Sequence, residues 1–283
     1  MNLFVEVNSK NSLYALLESS ANILVIGLKG FSGHRIYSVT FDELENIIKT
    51  IHQYHKQVCL IFPYIILQTQ LQEHSVQLTN IASMNIDFIA CGDVGLGYFM
   101  RLNHTSAKLI FMNETMIANP FDAQAFLESG YDLITPAVDI TFNKKLSFAQ
   151  KMPTKALFQL CGTHLISTSK RPLLSAYYDV IETPNAPKHV KLREHNREQA
   201  YFGIEDDQGF HTFHEKLLVL DHPSFLNCDY GYLSSFFVPL EETLYWIKLI
   251  ESSEFTLENV AKLSSFNVYN GLEETDKGLE AGT

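Results

Sequence analysis

The residues best suited to chemistry lie in one short run, CGTHLISTSKRPLLSAYY, at positions 161–178. It brings a histidine, several hydroxyls and two cations just past the C-terminal end of an apolar strand, the end at which parallel α/β folds bind ligands. Arg171 can grip a carboxylate or phosphate with two parallel N–H bonds, and Lys170 adds a second positive charge. Ser167 and Ser169 supply hydroxyls, and His164 a ring that can exchange protons. His164, Lys170 and Arg171 are therefore expected to form an anion-binding rim. The same residues would also suit an ordinary solvated connection. Two acids, Asp93 and Asp139, follow expected strands and join His164 as catalytic candidates, although acids at such places often cap helices instead.

Other signatures are missing. The sequence has no GxSxG nucleophile elbow and no phosphate-binding P-loop. His214-Glu215 lacks the second histidine of HExxH. His211 and His214 stand three apart in an expected strand, so they point to opposite faces and make poor joint metal ligands. The glycines of GDVGLG, 92–97, are spaced GxxGxG and not as in a dinucleotide loop. Gly27, Gly30 and Gly33 read as a flexible turn. Cys161 reads as a small core residue or, at its strand end, a nucleophile.

The elements that must hold these residues repeat. A capping box at Thr40 and Glu43 opens a helix whose apolar face carries Phe41, Leu44, Ile47, Ile48 and Ile51. Strands are expected at 3–7, 23–26, 58–62, 86–90, 108–112, 133–137 and 156–161. Helices are expected at 9–20, 40–51, 70–84, 93–104, 121–129 and 147–151. Short apolar strands alternating with amphipathic helices imply a parallel sheet with helical crossovers. The fold class is α/β, a (β/α) TIM-like barrel, regular or incomplete, with a β-hairpin-containing C-terminal extension. The hairpin is read from 201–205 and 210–214 around Asp206-Asp207-Gln208-Gly209. A strand at 232–238 and helices at 241–251 and 256–263 come next, and 181–189 reads as an exposed loop. Residues 1–270 are taken as one domain, with repeating units to 165 and a variant part from 166. Residues 271–283 are expected to be a disordered acidic tail.

The chain has 283 residues and a net charge of −11. Between Lys144 and Arg197 stand ten basic and three acidic side chains, a balance of +7 that leaves −18 elsewhere. Such asymmetry suits an anion-binding face. The four cysteines, Cys59, Cys91, Cys161 and Cys228, are far apart, without a CxxC pair. They fit a reducing cytoplasm and not a disulfide framework or a local cluster site. No run reaches the roughly 20 apolar residues of a membrane helix. The start of the chain reads as a strand, so a cytoplasmic protein is expected.

The run SKRPLLSAYY after a strand and glycine resembles the collagenase-like peptidase U32 family. DFIACGDVG, 87–95, is similar to that family's strand and Gly-Asp-Pro-Gly turn, with Val94 in place of the proline. Residues 193–214, with EDDQGFHTF, are similar to the charged strand and hairpin of its short members. The resemblance covers most of 1–250. It implies a barrel-like fold and either peptidase activity or a part in oxygen-independent hydroxylation, including that of wobble uridine in tRNA. Hydroxylating members hold an iron–sulfur cluster through clustered cysteines. Here Pro172 follows Arg171 where a cysteine often stands, so no cofactor is expected on this chain alone, and a cluster would belong to a partner. The expected partners are a longer U32 paralogue and tRNA. Three functions stay open on the sequence: a tRNA-hydroxylation subunit, a peptidase, and a non-catalytic scaffold for the longer relative.

Overall fold

A computed structural model describes residues 1–183, 187–193, 195 and 200–271. The strands are β1 (Asn2–Glu6), β2 (Ile23–Leu28), β3 (Ser38–Val39), β4 (Gln57–Phe62), β5 (Phe88–Cys91), β6 (Lys108–Phe111), β7 (Leu133–Ile134) and β8 (Leu157–Gly162). They continue with β9 (Leu165–Ser169), β10 (His189–Arg193), β11 (Ala200–Asp206), β12 (Gly209–His214), β13 (Leu217–Val219), β14 (Tyr230–Leu233) and β15 (Val268–Tyr269).

Eight strands run parallel in the order β8-β14-β1-β2-β4-β5-β6-β7. The sheet curls so that Ile134 of β7 forms a parallel bridge with Ala156, just before β8. Strands alternating with helices thus build a barrel-like α/β fold, as the periodicity predicts.

Side chains alternate across these strands, and the two faces have different company. Leu3, Val5, Leu24, Ile26, Leu60, Ile89 and Leu109 pack in one core that includes the apolar faces of the helices. Phe4, Val25, Cys59, Ile61, Phe88, Ala90, Ile110 and Tyr232 fill the inside of the curl. Removing each large aliphatic side chain from water contributes about 1.5–3 kcal/mol. Glu6 is two residues beyond Phe4 and on the same inner side, so a carboxylate lies where the strands end.

Local signals hold where the partners are near in sequence. Thr40 and Glu43 close the expected capping box on the helix Phe41–Gln53, with Glu43 Oε2 accepting from Thr40 N at 2.9 Å. The expected helix 70–84 is instead two, Gln68–Glu73 and Ser75–Ala82. His74 between them leaves helical dihedrals at φ −106°, ψ 13°, and the Ser75 hydroxyl donates to Gln72 O at 3.0 Å. The strand expected at 133–137 keeps two residues, and that at 232–238 becomes β14, ending at Leu233.

The second sheet, β10-β11-β12-β9, is antiparallel. The expected hairpin is β11–β12, with Asp206 opposite Gly209. The stretch after Gly162, read as a connection, holds β9 and the helix Leu173–Val180. Its hydroxyl-rich sequence hides a strand that exists by pairing with β12. Ile204, Phe213 and Leu165 of this sheet pack on Tyr64, which comes just after β4. The second sheet therefore lids the C-terminal end of the parallel strands. His189, expected in a loop, begins β10, while Pro184 of that loop lies outside the described residues. So do Arg197 of the basic window and the tail beyond Gly271. Among the described residues no helix is long and apolar enough to cross a membrane.

Candidate functional site at the mouth of the parallel strands

Under the lid, Glu6 closes β1 as a fully engaged carboxylate. Its Oε1 accepts from the Tyr232 hydroxyl, and its Oε2 from Ser234 Oγ at 2.7 Å and Ser235 N at 3.0 Å. Gly162 lets the Ser234 backbone come close: at φ +128°, a Cβ there would stand 2.3 Å from Ser234 O. Arg35, on the connection after β2, places Nε 3.3 Å from Glu6 and bonds Glu114 through Nη1. Glu114, just past β6, also accepts from Leu165 N at 2.6 Å, which ties the lid to the mouth. Burial works against the charge on Arg35, but Glu114 and then Glu6 outweigh it and raise its pKa. Burial, followed by Glu6, raises the Tyr232 phenol, so that phenol is the donor in its bond. Arg35 Nη2 is buried with no hydrogen-bond partner among the described residues.

A second polar chain adjoins the first. Asp206 Oδ2 accepts from His34 N at 2.8 Å, and Oδ1 from Gln208 N at 2.8 Å. Gly33 makes this possible, because a Cβ at its φ of +59° would lie 2.3 Å from Asp206 Oδ2. Burial would raise the Asp206 carboxyl, but the bonds from His211, His34 and Gln208 bring its pKa below the ordinary range. His211 Nε2 lies 3.2 Å from Asp206 Oδ1, and His211 Nδ1 lies 2.7 Å from Thr168 Oγ1. Tyr64 stacks on the His211 ring. Thr168 opens on a cleft of about 140 Å³ whose lining includes Pro63, Gly92, Asn113, Glu114 and Leu165. A larger groove of about 540 Å³ lies at the opposite end of the parallel strands, beside Met1, Leu3 and Asn22.

The residues singled out from sequence are dispersed. His164 is buried, stacked on His214 at 5.0 Å between centroids, with the Tyr269 hydroxyl 3.2 Å from its Nε2. Burial, then the neighbouring His214, pushes its pKa down to about 3. Lys170 donates to Gln208 Oε1 at 2.8 Å, and burial lowers its pKa. Arg171 is exposed, and its backbone N–H donates to Ser169 Oγ at 3.1 Å. Ser167 Oγ lies 2.7 Å from Thr212 Oγ1. Asp93 Oδ1 accepts from Leu96 N at 3.0 Å and caps the helix Val94–Leu102. Asp139 is exposed in a turn. Ser167, Ser169, Lys170 and Arg171 thus share one strand and its end, whereas His164 goes into a different cluster.

Sequence reasoning missed Glu6, Arg35, Glu114, Thr168 and the Asp206–His211 pair. Only Glu6 carried a signal: a charge on the same face as Phe4 in an otherwise apolar strand.

The cysteines do not fit an iron–sulfur cluster. Each of the four is a free, buried thiol, on β4, β5 and β8 and before β14. Burial raises the pKa of all four, that of Cys228 to about 11. Among the described residues no group of three or more His, Cys, Asp or Glu could hold a metal ion.

The sequence model of peptidase family U32 matches residues 8–196, so the chain belongs to that family. The solved structure of the U32 peptidase Mk0906 is similar at 15% identity with a TM-score of 0.43, covering 56% of this chain and 69% of that one. No curated protein matches.

Proposed function

We propose that the protein is an accessory subunit in the oxygen-independent hydroxylation of the tRNA wobble uridine, acting in the cytoplasm beside a longer U32 paralogue that carries the iron–sulfur cluster. In this reading the curled sheet is a TIM-like barrel and the lid is its RNA-facing side. The observation that carries it is the placement of the cations. Arg171, Lys188, Lys191 and Arg193 are all exposed on or beside the lid of a chain that is otherwise strongly acidic. Lys188 and Lys191 are paired with Glu205 and Glu215, while the Arg171 and Arg193 side chains make no ion pair among the described residues. Guanidinium groups so displayed suit phosphate oxygens. The test is the 5-hydroxyuridine content of bulk tRNA, by mass spectrometry, with and without the gene. The reading expects a loss that the wild-type gene restores and an Arg171→Glu, Arg193→Glu variant does not.

A second reading, hydrolysis of an acyl bond, suits the family's peptidase name. It is favoured by the hydroxyl–imidazole–carboxylate chain that ends at the cleft.

A further inference from the structure

The hydrolytic reading extends to named atoms, and the nucleophile assigned to it rests on that reading. Asp206 holds its charge, because two backbone N–H groups and His211 donate to it. A carboxylate only accepts, so His211 Nε2 carries the proton of that bond. In the neutral ring Nδ1 is then the acceptor, and the partner 2.7 Å away is the Thr168 hydroxyl. The Tyr64 ring, 4.0 Å from His211 between centroids, holds the imidazole in plane. His211 is 1% exposed, yet Thr168 lies on the exposed side and lines the cleft. A buried base thus touches an accessible hydroxyl, which is the arrangement an activated nucleophile needs.

We propose that Thr168 is the nucleophile of an acyl-transfer site, with His211 as general base and Asp206 as the residue that positions it. Thr168 Oγ1 attacks the carbonyl carbon of an ester or amide in the cleft and passes its proton to His211 Nδ1. The tetrahedral intermediate collapses, the bond to the leaving group breaks, and that group takes the proton from His211. Water then attacks the Thr168 ester and loses a proton to His211. The bond to Oγ1 breaks, His211 returns that proton to Oγ1, and the acid leaves with the Thr168 hydroxyl and the neutral imidazole restored. Asn113 donates to Gly92 O through one amide hydrogen at 3.1 Å, and its second hydrogen is available to the oxyanion.

The cleft also selects the acyl group. Its lining contains Glu114 and no basic side chain. Behind it, Glu6 and Glu114 share the single cation Arg35, while Asp206 interacts with Lys170. A buried excess of negative charge favours a cation. The volume of about 140 Å³ accommodates only a small group. The substrate class is therefore a small acyl group bearing a free amine: an aminoacyl ester or the N-terminal residue of a peptide.

The purified full chain is given the 4-nitrophenyl ester and the 4-nitroanilide of alanine, and their N-acetylated forms, with acid-quenched mass mapping of any acylated residue. The proposal expects turnover of the free-amine substrates, at least tenfold slower turnover of the acetylated forms, and an alanyl mass on the peptide holding Thr168. Thr168→Val keeps the branched strand residue, so it should fold while losing at least about 100-fold in rate. Thr168→Ser should retain activity. Turnover by Thr168→Val at the wild-type rate would remove Thr168 as nucleophile and leave the hydrolytic reading standing. Equal rates on acetylated substrates would remove the amine preference. A folded wild type that cleaves none of the four would remove the hydrolytic reading as well.

Discussion

Tyr64 lies face to face with His211, with ring centroids 4.0 Å apart and planes 18° from parallel. One ring stands on the connection just after β4 and the other on the lid, so the stack joins the two layers. Such a contact contributes beyond the apolar area it buries.

The first prediction concerns this stack. Tyr64 is 2% exposed. Tyr64→Ala should cost about 3–5 kcal/mol of unfolding free energy, as expected for a buried aromatic truncated in a core. Tyr64→Phe keeps the ring and should stay within about 1 kcal/mol of wild type. Urea unfolding of the two variants checks both values, and equal losses would mean that the hydroxyl, not the stack, matters.

A second prediction comes from Arg35. Arg35→Met leaves Glu6 and Glu114 buried without their shared cation. Breaking a buried pair from one side costs about 3–5 kcal/mol. Adding Glu114→Gln removes one of the stranded charges and should recover part of that loss. A double-mutant cycle by chemical denaturation reads the coupling, and strictly additive losses would count against the triad.

The third concerns acid. His164 has its pKa pushed from the ordinary 6.5 to about 3 by burial and then by His214, so the native ring stays neutral where the unfolded one binds a proton. Its contribution to stability is fully present above pH 6.5 and is lost as the pH falls towards 3. The slope in that window is about 1.4 kcal/mol per pH unit for one proton. His164→Phe should flatten it. Thermal or urea unfolding at half-unit pH steps shows the difference, and unchanged slopes would mean that the ring is protonated in the native protein.

The sequence was legible where the physics is local. The two ends of the Thr40–Glu43 box are three positions apart, and the turn at Asp206–Gly209 has its own composition, so both could be read directly. The repeating parallel units were also legible, because period-two and helical patterns show in each one. The mouth was not. Arg35 reaches Glu114 across 79 positions, and Tyr232 reaches Glu6 across 226. No window holds both members of either pair. Strand β9 was missed because Ser167, Thr168 and Ser169 look like loop residues until β12 pairs with them. His164 attracted attention through its neighbours in sequence, whereas its buried contacts, His214 and Tyr269, are 50 or more positions away.

The register of β1 has a consequence for synthesis. Its residues Asn2, Leu3, Phe4 and Val5 pair on one side with Tyr230, Gly231, Tyr232 and Leu233. The other neighbour, β2, leaves the ribosome early, but this one leaves only after the whole lid has been made. At 5–20 residues per second that is a delay of about 10–40 s, during which an apolar strand presents an open edge. Nascent chains are most exposed to mispairing over that interval, and the lid can form its own hairpin before the sheet beneath it is complete. The chain's first strand waits for one of its last.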